Sequence, residues 1–147
     1  LGGACYPEKH PDAPSFEVDV DHLRRKVDAG VEFLITNLFF DNADYFRFLD
    51  RTRAAGIRVP VVPGIMPIVS VANIRRITTL SGASIPAALE ARLSAVGPDD
   101  AAVMALGVEW ATTQCRELLE RGAPGLHFYT LNQSPATRRI HRNLFAS

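Results

Sequence analysis

What most constrains this chain is an alternation of short, almost wholly apolar runs with longer stretches of helical spacing. The clearest run is Phe33-Leu34-Ile35-Thr36-Asn37-Leu38-Phe39-Phe40. A strand with water on one face alternates apolar and polar residues. A run that is apolar almost throughout predicts a strand covered on both faces, as in a parallel sheet. Before it, residues 16 to 29 put Val20, Leu23 and Val27 on one helical face and Asp21, Arg24, Arg25 and Asp28 on the other. Ser15 is placed to cap that helix and Gly30 to stop it.

The same alternation continues. Leu1 to His10 read as the end of a strand entering a polar loop, with no initiator Met before it. Asp41 or Asn42 caps a helix carrying Tyr45, Phe48 and Leu49 on one face and ending near Gly56. Val59 to Ile65 form the next short strand and its exit loop, with Pro60 at the strand's start because proline donates no hydrogen bond. Helices are expected over residues 71 to 80, from about Pro86 to Val96, and from Asp99 or Asp100 to Arg121, the last with Val103, Leu106, Trp110 and Leu118 inward. Residues 126 to 130 form the last strand, and a terminal helix runs from about Pro135 to Leu144. This order predicts an α/β fold of about four βα units on a parallel sheet, either an open sheet or half of an eightfold barrel. No linker or shift in composition divides the chain, so residues 1 to 147 are expected to be one domain.

Composition excludes several classes of function. Sixteen basic and sixteen acidic residues balance, which leaves no basic excess for a nucleic-acid partner. No apolar run approaches the roughly 20 residues needed to cross a bilayer, so no membrane partner is expected. Cys5 and Cys115 lie far apart and read as two reduced thiols, which points to a cytoplasmic location. The four histidines have no ligand-like spacing, and no metal site is expected.

In parallel α/β folds, ligands gather at the C-terminal ends of the strands. Those ends are Tyr6 to His10, Thr36 to Phe40, Pro63 to Pro67 and Tyr129 to Gln133. Thr36 and Asn37 place a hydroxyl and an amide in a buried strand, where either the fold or a ligand must supply partners. Asp19, His22 and Lys26 follow i, i+3, i+7 spacing and share one helical stripe. Such a stripe could hold the hydroxyls and phosphates of an extended cofactor; taken alone, a surface ion-pair ladder is the better reading of it. His127, inside a strand, reads as a packed histidine. Cys5 has only His10 nearby as a base for nucleophilic chemistry. No G-x-G-x-x-G, P-loop or G-x-S-x-G motif names a reaction.

Five blocks then carry a resemblance: Tyr6-Pro7-Glu8-Lys9-His10-Pro11, Lys26-Val27-Asp28-Ala29-Gly30, Thr36-Asn37-Leu38-Phe39-Phe40-Asp41, Pro63-Gly64-Ile65-Met66-Pro67, and Gly125-Leu126-His127-Phe128-Tyr129-Thr130-Leu131-Asn132. In this order they resemble the methylenetetrahydrofolate reductase family across nearly the whole chain. The resemblance implies the C-terminal half of a (βα)8 TIM barrel, beginning at the end of the fifth strand. It implies a cytoplasmic flavoenzyme of one-carbon metabolism and methionine supply. That enzyme reduces 5,10-methylenetetrahydrofolate to 5-methyltetrahydrofolate, with FAD as cofactor and NAD(P)H as co-substrate.

By motif position the resemblance assigns Ala4, Tyr6, His10, Ala13, Asp19, His22, Arg25 and Lys26 to FAD, and Asn37, Asn73 and Gln133 to the substrate. The family often carries Gln at the positions of Asn37 and Asn73, and Arg at that of Gln133. Tyr129 and Phe39 are plausible walls for stacked rings and equally plausible packing residues. The family's catalytic acid is expected upstream of Leu1, so no catalytic residue is assigned within this chain, and the segment alone is expected not to turn over. The full-length protein is expected to be a homo-oligomer whose partners are folate and a nicotinamide nucleotide. Two other classes stay open: a stand-alone half-barrel binding or assembly module, and another phosphate-binding βα-barrel enzyme such as a lyase.

Overall fold

A computed structural model describes residues 1 to 132 and 134 to 146. The elements follow one another as β1 (Gly2–Cys5), α1 (Phe16–Asp28), β2 (Phe33–Leu38), α2 (Asn42–Ala54), β3 (Val61–Ile65), α3 (Val71–Ser81), α4 (Ala87–Val96), α5 (Asp100–Glu120), β4 (His127–Phe128) and α6 (Pro135–Phe145). The four strands pair in sequence order, β1-β2-β3-β4, and every pair is parallel. This is the strand order of consecutive βα units, and it matches the expected half of a barrel.

Local chemistry sets the element ends. Ser15 Oγ accepts the Val18 N–H at 3.3 Å, Asp41 caps α2 through the Ala43 N–H at 2.9 Å, and Asp99 caps α5 through the Ala101 N–H at 3.0 Å. Each satisfies one of the orphan donors at a helix start. Helix α3 ends on Gly82 in the left-handed conformation, φ 72°. The expected strand at 126 to 130 shortens to two residues, because Leu131 and Asn132 turn the chain with φ of 48° and 62°.

One face of the sheet carries the core. Leu34, Val61 and Ile65 are fully buried with Leu23, Phe48, Cys115 and Leu118 from the helices. A second cluster joins Leu38, Phe40 and Met66 to Ile74, Leu89, Leu93 and Leu106. Strand β2 alternates in burial, so Leu34, Thr36 and Leu38 turn toward the helices while Phe33, Ile35 and Asn37 look to the other face. On that second face Ile35 and Asn37 are half-buried, and Phe33, at the strand's start, is 39% exposed.

The pairing of β2 with β3 carries an irregularity that shapes the site. Ile35 pairs with Val62, but the next pair is Leu38 with Gly64, so β2 spends one extra residue. The break lies opposite Pro63, which has no N–H to give to a ladder. The Gly64 N–H then donates to Thr36 Oγ1 at 2.8 Å, and the hydroxyl replaces the missing backbone acceptor. Gly64 is required by close approach, because a Cβ there would lie 2.2 Å from the Thr36 carbonyl oxygen and 2.6 Å from the Tyr129 ring.

Candidate functional site

The loop after β1 and helix α1 bring most of the expected cofactor residues together. The Tyr6 and His10 rings meet edge to face, with centroids 4.4 Å apart. The His10 backbone N–H donates to Asp19 Oδ2 at 2.9 Å, which ties the loop to the first turns of α1. Lys26 Nζ, in the last turn of the same helix, donates to the Ala4 carbonyl at 3.2 Å. Helix α1 is therefore fastened to β1 through Lys26 and to the loop that follows β1 through Asp19. Ala13 is buried, and its N–H donates to the His10 carbonyl at 3.0 Å.

The loop itself is built tightly. Lys9 adopts a positive φ of 85°, uncommon for a side chain other than glycine. Its ammonium donates to the carbonyls of Ala13 and, at 2.9 Å, of His10, which anchors that conformation. His10 Nδ1 accepts the Asp12 N–H at 3.1 Å, so in the neutral ring the proton sits on Nε2. His22 lies exposed between Asp19 and Lys26. Arg25 stands apart from this stripe, paired with Asp21 at 2.7 Å across one helical turn.

Beneath the loop, burial pushes the Cys5 thiol up to about 12, with Lys26 pulling it slightly down and Asp19 slightly up. A thiol this far from ionising is not a nucleophile near neutral pH. Both cysteines are free and buried. Among the described residues no cluster of histidine, cysteine and carboxylate side chains is placed to hold a metal ion.

On the other side stand the expected substrate residues. Asn37 Nδ2 donates to the Ser81 carbonyl at 3.1 Å, where α3 ends. Asn73, in the first turn of α3, has its N–H capped by Ser70 Oγ at 3.1 Å, while its buried Oδ1 has no partner among the described residues. It lines a small groove of about 30 Å³ with Met66, Pro67, Val69, Tyr129, Thr130 and Leu131. Tyr129 crosses to β2, and its hydroxyl donates to the Thr36 carbonyl at 2.8 Å. Thr36 is thus satisfied by the fold on both its hydroxyl and its carbonyl. Gln133 lies outside the described residues.

Phe39 is no wall of the site. It is fully buried and stacks on Tyr45, with centroids 5.7 Å apart and planes 11° from parallel. His127 is half-buried rather than packed in the core, and it meets the Tyr129 ring edge to face at 4.7 Å.

Sequence reasoning misses Glu8. Its carboxylate accepts the Ser84 N–H at 2.9 and 3.2 Å and the Ser84 hydroxyl at 2.6 Å, across 76 positions of sequence. Burial raises its pKa, the two Ser84 donors oppose that, and Asp44 and Asp41 add to it. No spacing in the sequence pairs Glu8 with Ser84. Two larger cavities are present, the smaller of them bordered by Phe40 and Asp41 just past the end of β2. A groove of about 520 Å³ runs along α6, and a cleft of about 420 Å³ lies between Asn42, Trp110 and Glu117.

No helix is long and apolar enough to cross a membrane among the described residues. The methylenetetrahydrofolate reductase family profile matches residues 1–145. A probable methylenetetrahydrofolate reductase (NADPH) of Caenorhabditis elegans is 41% identical, over 98% of this chain and 22% of its own length. Methylenetetrahydrofolate reductase (NADH) 1 of Arabidopsis thaliana is 38% identical, over 96% of this chain and 25% of its own. The 5,10-methylenetetrahydrofolate reductase of Escherichia coli is 36% identical, over 96% of this chain and 48% of its own. The chain thus spans between about a fifth and a half of these relatives. A solved structure is similar with a TM-score of 0.61 at 20% identity, covering 97% of this chain and 51% of that one. It is an uncharacterized protein from Clostridium thermocellum that binds two copies of 5-methyl-5,6,7,8-tetrahydrofolic acid, and at this identity the likeness carries the fold alone. Ordered strands, a loop fastened to α1 and a profile match along almost the entire chain agree: the chain belongs to the methylenetetrahydrofolate reductase family.

Proposed function

We propose that the protein carrying this chain reduces 5,10-methylenetetrahydrofolate to 5-methyltetrahydrofolate with NAD(P)H through bound FAD. These residues form one wall of its cofactor and folate site, and the other strands of the barrel come from the rest of the polypeptide. The observation that carries this is the docking of α1 on β1 and its exit loop through the Lys26 and Asp19 hydrogen bonds.

The donor set fits the cofactor. A dinucleotide presents phosphates that call for a cation and ribose hydroxyls that call for acceptors. Lys26 is exposed at the end of β1, Asp19 is half-buried beside His10, and His22 is exposed between them. Lys26, with Arg25 nearby on the same helix, would hold phosphate; Asp19 and His22 would hold hydroxyls; Tyr6, His10, Ala4 and Ala13 would shape the wall. Hydride transport between nicotinamide and folate is the chemistry FAD supplies when bound.

The chain's own part is orientation and exclusion of water. Asn73 Oδ1 is an acceptor awaiting a donor, and a pterin ring offers N–H groups. Tyr129, held by Thr36, offers a fixed ring beside it.

The test uses the full-length protein. Lys26→Ala and Asp19→Ala should each weaken flavin retention by roughly tenfold, the worth of one charge-assisted hydrogen bond. Equilibrium dialysis with flavin fluorescence reads the change. Flavin held as tightly by both variants as by the wild type would end the assignment.

A second reading draws on the half-exposed Phe33 face and the unpaired outer sides of β1 and β4, which suit an assembly module. A sedimentation coefficient of the 147-residue chain that rises with concentration would favour it.

A further inference from the structure

Helix α3 carries Asn73, yet only one of its side chains, Ile74, is fully buried. A helix so thinly packed is free to open locally unless something else restrains it. Besides the Ser70 cap at its start and the Arg75–Glu90 ion pair to α4, it is restrained at its exit. There the chain bends through Gly82 into the segment before α4.

Two separate parts of the site grip this bend. Asn37, on β2, donates to the Ser81 carbonyl at 3.1 Å. Glu8, in the loop after β1, takes both donors of Ser84, its hydroxyl at 2.6 Å and its N–H at 2.9 Å. Between these points, the bend is fitted closely to the same loop. A Cβ on Gly82 would lie 3.0 Å from the Pro11 ring, and Ala83 is buried in the cluster that holds Leu38. Only about 10 Å³ of space remains between Tyr6 to Lys9, Asn37 and Leu38, and the bend at 81 to 83. The loop that bears the cofactor-side residues Tyr6 and His10 is thus the surface on which the end of α3 rests.

We infer that Glu8 is a positioning residue: it clasps Ser84, fixes the α3–α4 bend against the β1–α1 loop, and so holds Asn73 in place on the folate side. The inference rests on the proposed function. Glu8 itself touches neither reacting group, and its effect is exerted through α3. A Gln at this position keeps one acceptor oxygen but loses the charge, whereas Ala loses both.

The experiment compares the flavin-loaded full-length protein with its Glu8→Ala and Glu8→Gln variants, by amide hydrogen exchange and by steady-state kinetics. Glu8→Ala should speed exchange at Ser84 and in the last turn of α3 by about tenfold. It should raise the KM for methylenetetrahydrofolate roughly fivefold, with kcat within about twofold. Glu8→Gln should fall between wild type and Glu8→Ala on both readouts. Unchanged exchange overturns the clasp. Faster exchange, or a lower Tm, with an unmoved KM overturns the positioning role and leaves Glu8 merely structural. A wild-type protein that binds flavin but turns over no folate overturns the proposed function, and the positioning role with it. An active wild type with an unmoved variant overturns only this inference.

Discussion

The two sides of the site satisfy their polar groups differently. On the β1–α1 side the loop is closed upon itself: Asp19 holds the His10 N–H, Lys26 holds the Ala4 carbonyl, and Lys9 holds Ala13 and His10. On the β3–β4 side, Thr36 and Tyr129 complete each other, but Asn73 keeps a buried oxygen without a partner among the described residues. An orphaned acceptor of that kind costs about 1–3 kcal/mol. The first side is a frame closed by its own hydrogen bonds. The second keeps one buried acceptor open, which under the proposed function would take a donor from the folate.

Three further experiments strain this contrast. The largest effect should come from Gly64→Val, where the new side chain meets the Thr36 carbonyl and the Tyr129 ring. Backbone on one side leaves little room to relax, so the variant should lose about 3 kcal/mol of stability. Thermal unfolding of the chain should show a Tm lower by roughly 10 °C; an unmoved Tm would mean that the close packing of β2, β3 and Tyr129 is not what holds that side together.

Next is a dependence on pH at the base of the closed side. Cys5 and Cys115 titrate near 9.0 when unfolded and are pushed up to about 12 by burial in the fold. Between those values the unfolded chain releases protons that the folded chain keeps, so stability falls as pH rises. Well below the unfolded value both thiols are neutral in both states and contribute no slope. At about pH 10 the loss should be roughly 1.4 kcal/mol per thiol. Urea midpoints at about pH 8 and about pH 10 would show it, and the drop should shrink in Cys5→Ala. An equal drop in that variant would place the effect on other groups.

The smallest effect on stability should come from Asn73→Ala, because it removes an oxygen that has no partner to lose. The unfolding free energy should stay within about 1 kcal/mol of wild type, while the affinity of the full-length protein for folate falls. A variant that loses about 2 kcal/mol or more would show that Asn73 is already satisfied, and the contrast between the two sides would disappear.

Much of the frame is legible in the sequence. The helix at 16 to 29 follows from Val20, Leu23 and Val27 with Ser15 before and Gly30 after, and it is found at Phe16–Asp28. Local information suffices there, because caps and spacing act within a few residues. The apolar run at 126 to 130 overstates β4 by three residues, because Leu131 and Asn132 turn with positive φ where only Asn invites it. As rings at strand ends, Phe39 and Tyr129 look alike in the sequence. The fold stacks one on Tyr45 in the core and leaves the other beside Asn73. The stripe of Asp19, His22 and Lys26 is legible as a stripe but not as an attachment. Its partners, His10 and Ala4, are engaged through backbone groups that carry no sequence signal.

By itself, the sequence determined the order of strands and helices, the parallel sheet and the stripe on α1, since each depends on period, caps and nearby chemistry. It also carried the family resemblance. Tertiary structure alone decided that Thr36 fills the gap opposite Pro63, that Cys5 is too buried to ionise, and that Glu8 reaches Ser84 across 76 residues. Those outcomes depend on which groups the folded chain brings within about 3 Å of one another, a distance that no spacing along the sequence encodes.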